Sequence, residues 1–184
     1  TGITITMPVG LAYLLPEPLQ SQVHALWREL DRAFGVRATA QSTPHPHITF
    51  HVAQTYDHDE LHKDLTAWAS SAESIPLQTW GAGVFGGDHP VIFIGVTQTT
   101  QLLSLHEAIY TIAQRHAIAA LPIFAPSTWV AHITLAHFNV SAETIGPIMS
   151  WLTTQTLVWE FALDAVSLLQ SSADEHNIDF TVTW

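Results

Sequence analysis

The sequence predicts an α+β domain: a β-α-β-α-β-β unit duplicated about a pseudo-twofold axis, with largely antiparallel sheets around a central cleft and helices outside. Three observations predict it. The tripeptide His-Ile-Thr occurs twice, at His47-Ile48-Thr49 and His132-Ile133-Thr134. Amphipathic helical stretches recur with almost the same offset as the tripeptides. Apolar runs of strand length alternate with them throughout, and the 184 residues are 47% hydrophobic, enough to bury one core.

The elements follow in order. Val9 to Leu15 reads as a strand ended by Pro16-Glu17-Pro18. Leu19, Val23, Leu26, Trp27, Leu30 and Phe34 keep a helical period, and Gly35 is a natural stop. A polar connector, Arg37 to Pro46, leads to a strand from His47 to Val52, and Leu61, Leu65 and Trp68 mark a helix from Asp57 to Ala69. Strands at Leu77 to Phe85 and Val91 to Thr97 flank the turn-rich Gly86-Gly87-Asp88-His89-Pro90. The order then restarts. Leu102, Leu105, Ile109, Ile112 and Ala113 share one helical face, and a connector over Leu121 to Ser127 precedes a strand from Trp129 to Phe138. A helix over Ala142 to Leu152 and strands at Val158 to Leu169 and Ile178 to Val182 complete the chain.

Laid over one another, the halves place Leu19–Phe34 on Leu102–Ala117 and Leu61 on Ile145, an offset of 83 to 84 residues, against 85 for the motifs. We therefore expect one domain over 7–184, with intertwined lobes of about 7–90 and 91–184. Thr1 to Thr6 precede Met7, the first methionine, and read as a cloning scar.

Charge limits the ligand. Five Lys and Arg stand against 16 Asp and Glu, a formal net charge of −11, with 12 histidines besides. Arg28, Arg32, Arg37, Lys63 and Arg115 form no basic run, which argues against long nucleic acid, whose binding neutralises several phosphates at once. A phosphate ligand should be small. The longest apolar runs are too short to cross a bilayer and no charged-then-apolar leader is seen, so a soluble, cytoplasmic, monomeric protein is expected. The absence of cysteine agrees with a reducing compartment and removes thiolate mechanisms.

In a strand, residues i and i+2 share a face, so each motif sends an imidazole and a hydroxyl to one side and an isoleucine into the core. Brought together, two imidazoles and two hydroxyls suit phosphoryl chemistry. A neutral His takes a proton from the attacking water, a protonated one donates to the departing oxygen, and Thr49 and Thr134 hold the non-bridging oxygens. No metal and no cofactor is required. One His-x-Thr is common by chance, but a duplication that preserved only packing has no reason to retain two polar residues on one face.

These residues resemble the 2H phosphoesterase superfamily, the group of 2′-5′ RNA ligase-like and cyclic phosphodiesterase proteins. The resemblance spans Pro8 to Trp184 and includes Gly83-Val84-Phe85 and the block Trp129-Val130-Ala131-His132-Ile133-Thr134-Leu135-Ala136. It implies the bilobal fold, His47, Thr49, His132 and Thr134 as catalytic residues, and activity on 2′,3′-cyclic phosphates or 2′-5′ linkages. The RNA ligase-like branch commonly carries an arginine three residues after the second motif threonine, where this chain has His137. With so few basic residues, a nucleotide-sized cyclic phosphate is expected as substrate. His132 is assigned to activating water and His47 to protonating the leaving oxygen, although the symmetry leaves the choice open. The alternatives are a 2′-5′ RNA ligase or phosphodiesterase acting on oligonucleotides, and a non-catalytic nucleotide-binding module.

Tyr13, Phe85, Trp129 and His137 are further candidates for substrate contact, Phe138 is within reach, and His89 could lie over the pocket. His45, His47 and His51 could be read as a metal site on alternating strand positions, but no carboxylate converges on them. Asp57 and Asp59 fit a helix N-terminus instead.

Overall fold

The computed structural model describes residues 8–171 and 176–184, so Thr1 to Thr6 lie outside the described residues. Fifteen short elements follow one another: β1 (Val9–Leu14), α1 (Leu19–Phe34), α2 (Ala38–Ser42), β2 (His47–Tyr56), α3 (His58–Ala69), β3 (Ile75–Phe85), β4 (Val91–Val96), α4 (Thr100–His116), β5 (Ala117–Ala120), a 3-10 turn (Pro122–Phe124), β6 (His132–Ala136), α5 (Ala142–Leu152), β7 (Glu160–Leu163), β8 (Ala165–Ser171) and β9 (His176–Thr183). The helix ends are chemically marked. Gly35 closes α1 at φ 68°, which an L residue with a side chain resists. Asp57, Thr99 and Ser141 each accept a backbone N–H at the start of α3, α4 and α5.

The strands form one antiparallel sheet in the order β7-β3-β4-β6-β2-β1-β8-β9, with β5 added to β2. This is the expected α+β architecture. Its centre is the pairing of the motif strands, Ile48 against Ile133. On either side the halves exchange strands: β3 of the first half pairs with β4, and β8 of the second pairs with β1. Helices cross over likewise, α1 packing on β6 and α4 on β2.

The stretch from Val158 to Leu169, expected as one strand, is two. Asp164 separates β7, at one end of the sheet, from β8, near the other, so the sheet must curl back upon itself. Tyr13 of β1 spans that curl: its hydroxyl donates to Ala162 of β7 at 2.6 Å and its ring stacks on Phe161. α2 falls in the stretch Arg37 to Pro46 expected to be a connector, and β5 falls where no element was expected. The former is one turn within a polar segment, and the latter is four residues long, below what periodicity resolves.

One irregularity repeats and matters for the site. In β2 the register with β1 runs from Ala12–Thr49 to Leu11–His51, skipping Phe50. In β6 the register with β4 runs from Phe93–Thr134 to Ile92–Ala136, skipping Leu135. Both motifs are thus followed by a β-bulge at the same place, and both show the same succession of exposure and burial, His and Thr half-buried, the next two residues buried. A bulge shifts the phase of alternation. Beyond it, His51 points into the core, fully buried, rather than sharing a face with His47.

Candidate active site

Ile48 and Ile133 are fully buried beneath the central pair, so His47, Thr49, His132 and Thr134 emerge together on the opposite face. Extending the register by one residue sets His47 across from Thr134 and Thr49 across from His132. Neighbouring strands supply small or apolar residues on that face: Ala12 beside Thr49, Phe93 beside Thr134 and Gly95 beside His132.

The two imidazoles are held alike. His47 Nδ1 lies 2.6 Å from the His45 carbonyl and His132 Nδ1 lies 2.7 Å from the Val130 carbonyl, in each case the residue two positions before. A carbonyl only accepts, so both Nδ1 atoms carry the proton and donate. Nε2 is then the atom that titrates, and it faces the cleft. Neither Nε2 nor either threonine hydroxyl has a partner among the described residues. Burial pushes the pKa of His47 down, and the facing His132 adds repulsion, against the opposing pull of the His45 carbonyl. Burial lowers His132 as well.

The backbone of each motif is pinned from behind. Where the bulges interrupt the ladder, each threonine carbonyl accepts an indole N–H: Trp129 Nε1 donates to Thr49 at 2.8 Å and Trp27 Nε1 to Thr134 at 3.3 Å. Trp129 is itself clamped by His106, whose ring lies parallel at 3.8 Å and which bonds the Phe50 carbonyl through Nε2 at 3.0 Å. His106 and Trp27 escaped sequence reasoning. The available signal was that both fall on the apolar stripes of their helices, where a polar side chain must find a buried partner.

The candidate contact residues separate. Phe85 reaches the cleft, its ring edge-on to His132 at 5.0 Å and stacked on Phe93 at 4.2 Å. His137 lies on the dividing line of the cleft and borders both of its sides; burial lowers its pKa. Trp129 touches the cleft but is 4% exposed and has spent its N–H on β2. Tyr13 pairs with Ile48, so it faces the core, where burial and Asp164 push its hydroxyl up to about 12. His89 is exposed in the β3–β4 turn and lines neither side of the cleft. His51 is satisfied in the core by the Tyr56 hydroxyl at 2.6 Å and Gln114 at 3.1 Å, and no group of three His, Cys, Asp or Glu able to hold a metal occurs among the described residues.

The cleft has two unlike halves that share Thr49, Thr134 and His137. Beside His47 is a cavity of about 250 Å³ with Thr39, Ser42, Thr43, His45 and Gln170 in its walls. Beside His132 is one of about 600 Å³ walled by Phe85, Val91, Ile123, Phe124 and Val130. No lysine or arginine lines either.

Residues 15–175 match the model of the 2′-5′ RNA ligase superfamily. The chain belongs to that superfamily. As a member of this 2H phosphoesterase group it is an enzyme of phosphoester chemistry. Among curated protein sequences none matches the chain. TT0787 of Thermus thermophilus has a similar structure, with a TM-score of 0.65 at 17% identity over 96% of this chain and 97% of that one, and shares the superfamily fold. Usb1 of Kluyveromyces marxianus, alone and with uridine monophosphate, gives a TM-score of 0.49 at 10% identity over 96% of this chain and 98% of that one. Among the described residues no helix is long and apolar enough to cross a membrane.

Proposed function

We propose that this enzyme hydrolyses a small 2′,3′-cyclic phosphate without a metal ion, using His47 and His132 as the acid–base pair. The observation that carries the reading is the arrangement of two Nε2 atoms and two hydroxyls, uncommitted among the described residues, on facing strands in a cleft lined by no fixed cation. A single phosphodiester monoanion fits such a site, whereas a polyanion would find nothing to neutralise it.

In the reaction, one neutral imidazole takes a proton at Nε2 from a water molecule as its oxygen bonds to phosphorus. One ring P–O bond breaks, and the other imidazole, protonated at Nε2, gives its proton to the departing ribose oxygen. One water is consumed and a phosphomonoester results. Thr49 and Thr134 donate to the non-bridging oxygens as charge accumulates there. His137, on the centre line, is the further donor available to the phosphate.

The test is turnover of a panel of 2′,3′-cyclic nucleotides and short 2′-5′ oligomers in excess chelator, with wild type, His47→Ala and His132→Ala. Hydrolysis of the cyclic nucleotides by wild type, reduced about 10²- to 10⁴-fold in each variant, is expected. Full activity in both variants, or its loss on chelation, would sink the mechanism.

A further inference from the structure

Of the seven tryptophans, Trp80 alone is more than half exposed, at 52%. It stands on β3, where the register with β4 slips between Thr79 and Gly81. Trp80 itself keeps the plain alternation of β3, in which Ile75, Leu77 and Thr79 are buried and Pro76, Gln78 and Trp80 exposed, so it stands on the face of the sheet away from the core. Its indole lies directly on Gly95: a Cβ there would come within 2.0 Å of Cε2 and Cζ2. Gly95 is the residue paired with His132. Gly83 makes room in the same way for Phe93, with Trp80 Cη2 alongside. Two glycines thus clear the sheet surface for two aromatic rings.

The rings are continuous with the catalytic centre. Trp80 meets Phe93 edge-on at 6.3 Å, Phe93 stacks with Phe85 at 4.2 Å, and both phenylalanines present edges or faces to His132, at 5.0 and 5.4 Å. The indole N–H has no hydrogen-bond partner among the described residues. A large aromatic surface left in water beside an active centre costs solvation that a ligand can recover.

We propose that Trp80 is the stacking platform for the substrate's nucleobase, so that the enzyme discriminates nucleoside cyclic phosphates from base-free ones. The inference rests on the function proposed above. The wall of Phe85, Phe93 and Trp80 leads outward from the histidine that meets the phosphate; the strand of Trp80 is two places from that of His132, but its indole reaches over Gly95, whose backbone is one strand spacing, about 4.8 Å, from that of His132. A ribose sets a base off from its 2′ and 3′ oxygens by a comparable span. Stacking accepts any base, so the platform selects for an aromatic group and not for a sequence.

The test compares kcat/KM for 2′,3′-cyclic AMP and CMP with that for glycerol 1,2-cyclic phosphate in wild type, Trp80→Ala and Trp80→Phe. The ratio of base-bearing to base-free kcat/KM should fall about tenfold or more in Trp80→Ala and stay near wild type in Trp80→Phe. An unchanged ratio in Trp80→Ala overturns the platform while leaving the hydrolytic reading intact. Should wild type hydrolyse neither class, the function fails, and 2′- and 3′-AMP titrations of wild type and Trp80→Phe then decide the platform. Fluorescence quenching lost in Trp80→Phe supports it, and quenching equal in both proteins overturns it. This second arm also decides the matter if Trp80→Ala does not fold.

Discussion

Replacing Trp129 by Phe removes one N–H and leaves a ring still able to pack between His106 and Phe50. The atom deprived is the carbonyl of Thr49, whose hydrogen bond to the indole is 2.8 Å long and lies beside the bulge that follows the first motif. A buried carbonyl left unpaired costs about 1–3 kcal/mol, so a loss of about 2 kcal/mol is expected. For a chain of this size that lowers Tm by about 4 to 8 °C. Trp27→Phe deprives Thr134 of a longer bond, 3.3 Å, and should cost about 1 kcal/mol or less. Under the proposed mechanism both variants should also turn over cyclic phosphate more slowly, because each releases the strand that aims a motif imidazole and hydroxyl. The effect should be about tenfold on kcat for Trp129→Phe and smaller for Trp27→Phe. Thermal melts and steady-state kinetics on the two variants check the order. An unchanged Tm in Trp129→Phe, or a larger loss in Trp27→Phe, would refute the idea that indole N–H groups pin the bulged motifs.

Two predictions concern protons. The proposed mechanism needs one imidazole neutral and one protonated, and burial, with mutual repulsion at His47, lowers both below the usual 6.5. The profile of kcat/KM should therefore rise through the lower apparent pKa of the pair, fall about tenfold per unit above the upper one, and peak on the acid side of pH 6.5. A peak well above neutrality contradicts that geometry. His106 is pushed down to about 4 by burial, whereas the unfolded chain takes up the proton near 6.5. The stability that its neutral form contributes is whole above pH 6.5 and is lost as pH falls toward 4, so His106→Gln should flatten the dependence of Tm on pH across that window. Equal slopes in wild type and variant would remove His106 from the account.

The four long helices, the motif strands and the repeat were legible because their signals are local. A helix is written at three- and four-residue spacing, a half-buried strand at two, and a duplication in an offset, so Leu19–Phe34 needed nothing from the rest of the chain, and the strand expected from Trp129 to Phe138 is present but pairs only over His132–Ala136. Alternation misled where a bulge intervened. It set His51 on the face of His47, whereas the residue inserted at Phe50 turns His51 inward against Tyr56 and Gln114. A bulge is a property of two paired strands and leaves no mark in one.

The two His-Ile-Thr motifs carry, on their own, the four polar groups and the face they share, since strand geometry ties i to i+2 wherever a strand forms. The equivalence of the halves likewise lies in the chain itself. Folding decided what breaks that equivalence. The polar wall comes from α2 and β8 and the apolar wall from β3, β4 and the turn at Pro122–Phe124, segments brought together by strand exchange and by the curl that joins β7 to β8. Contacts between residues a hundred positions apart depend on which strands pair, and that choice is made by burying the whole core at once. The cleft is therefore unlike on its two sides although the two motifs that meet in it are alike.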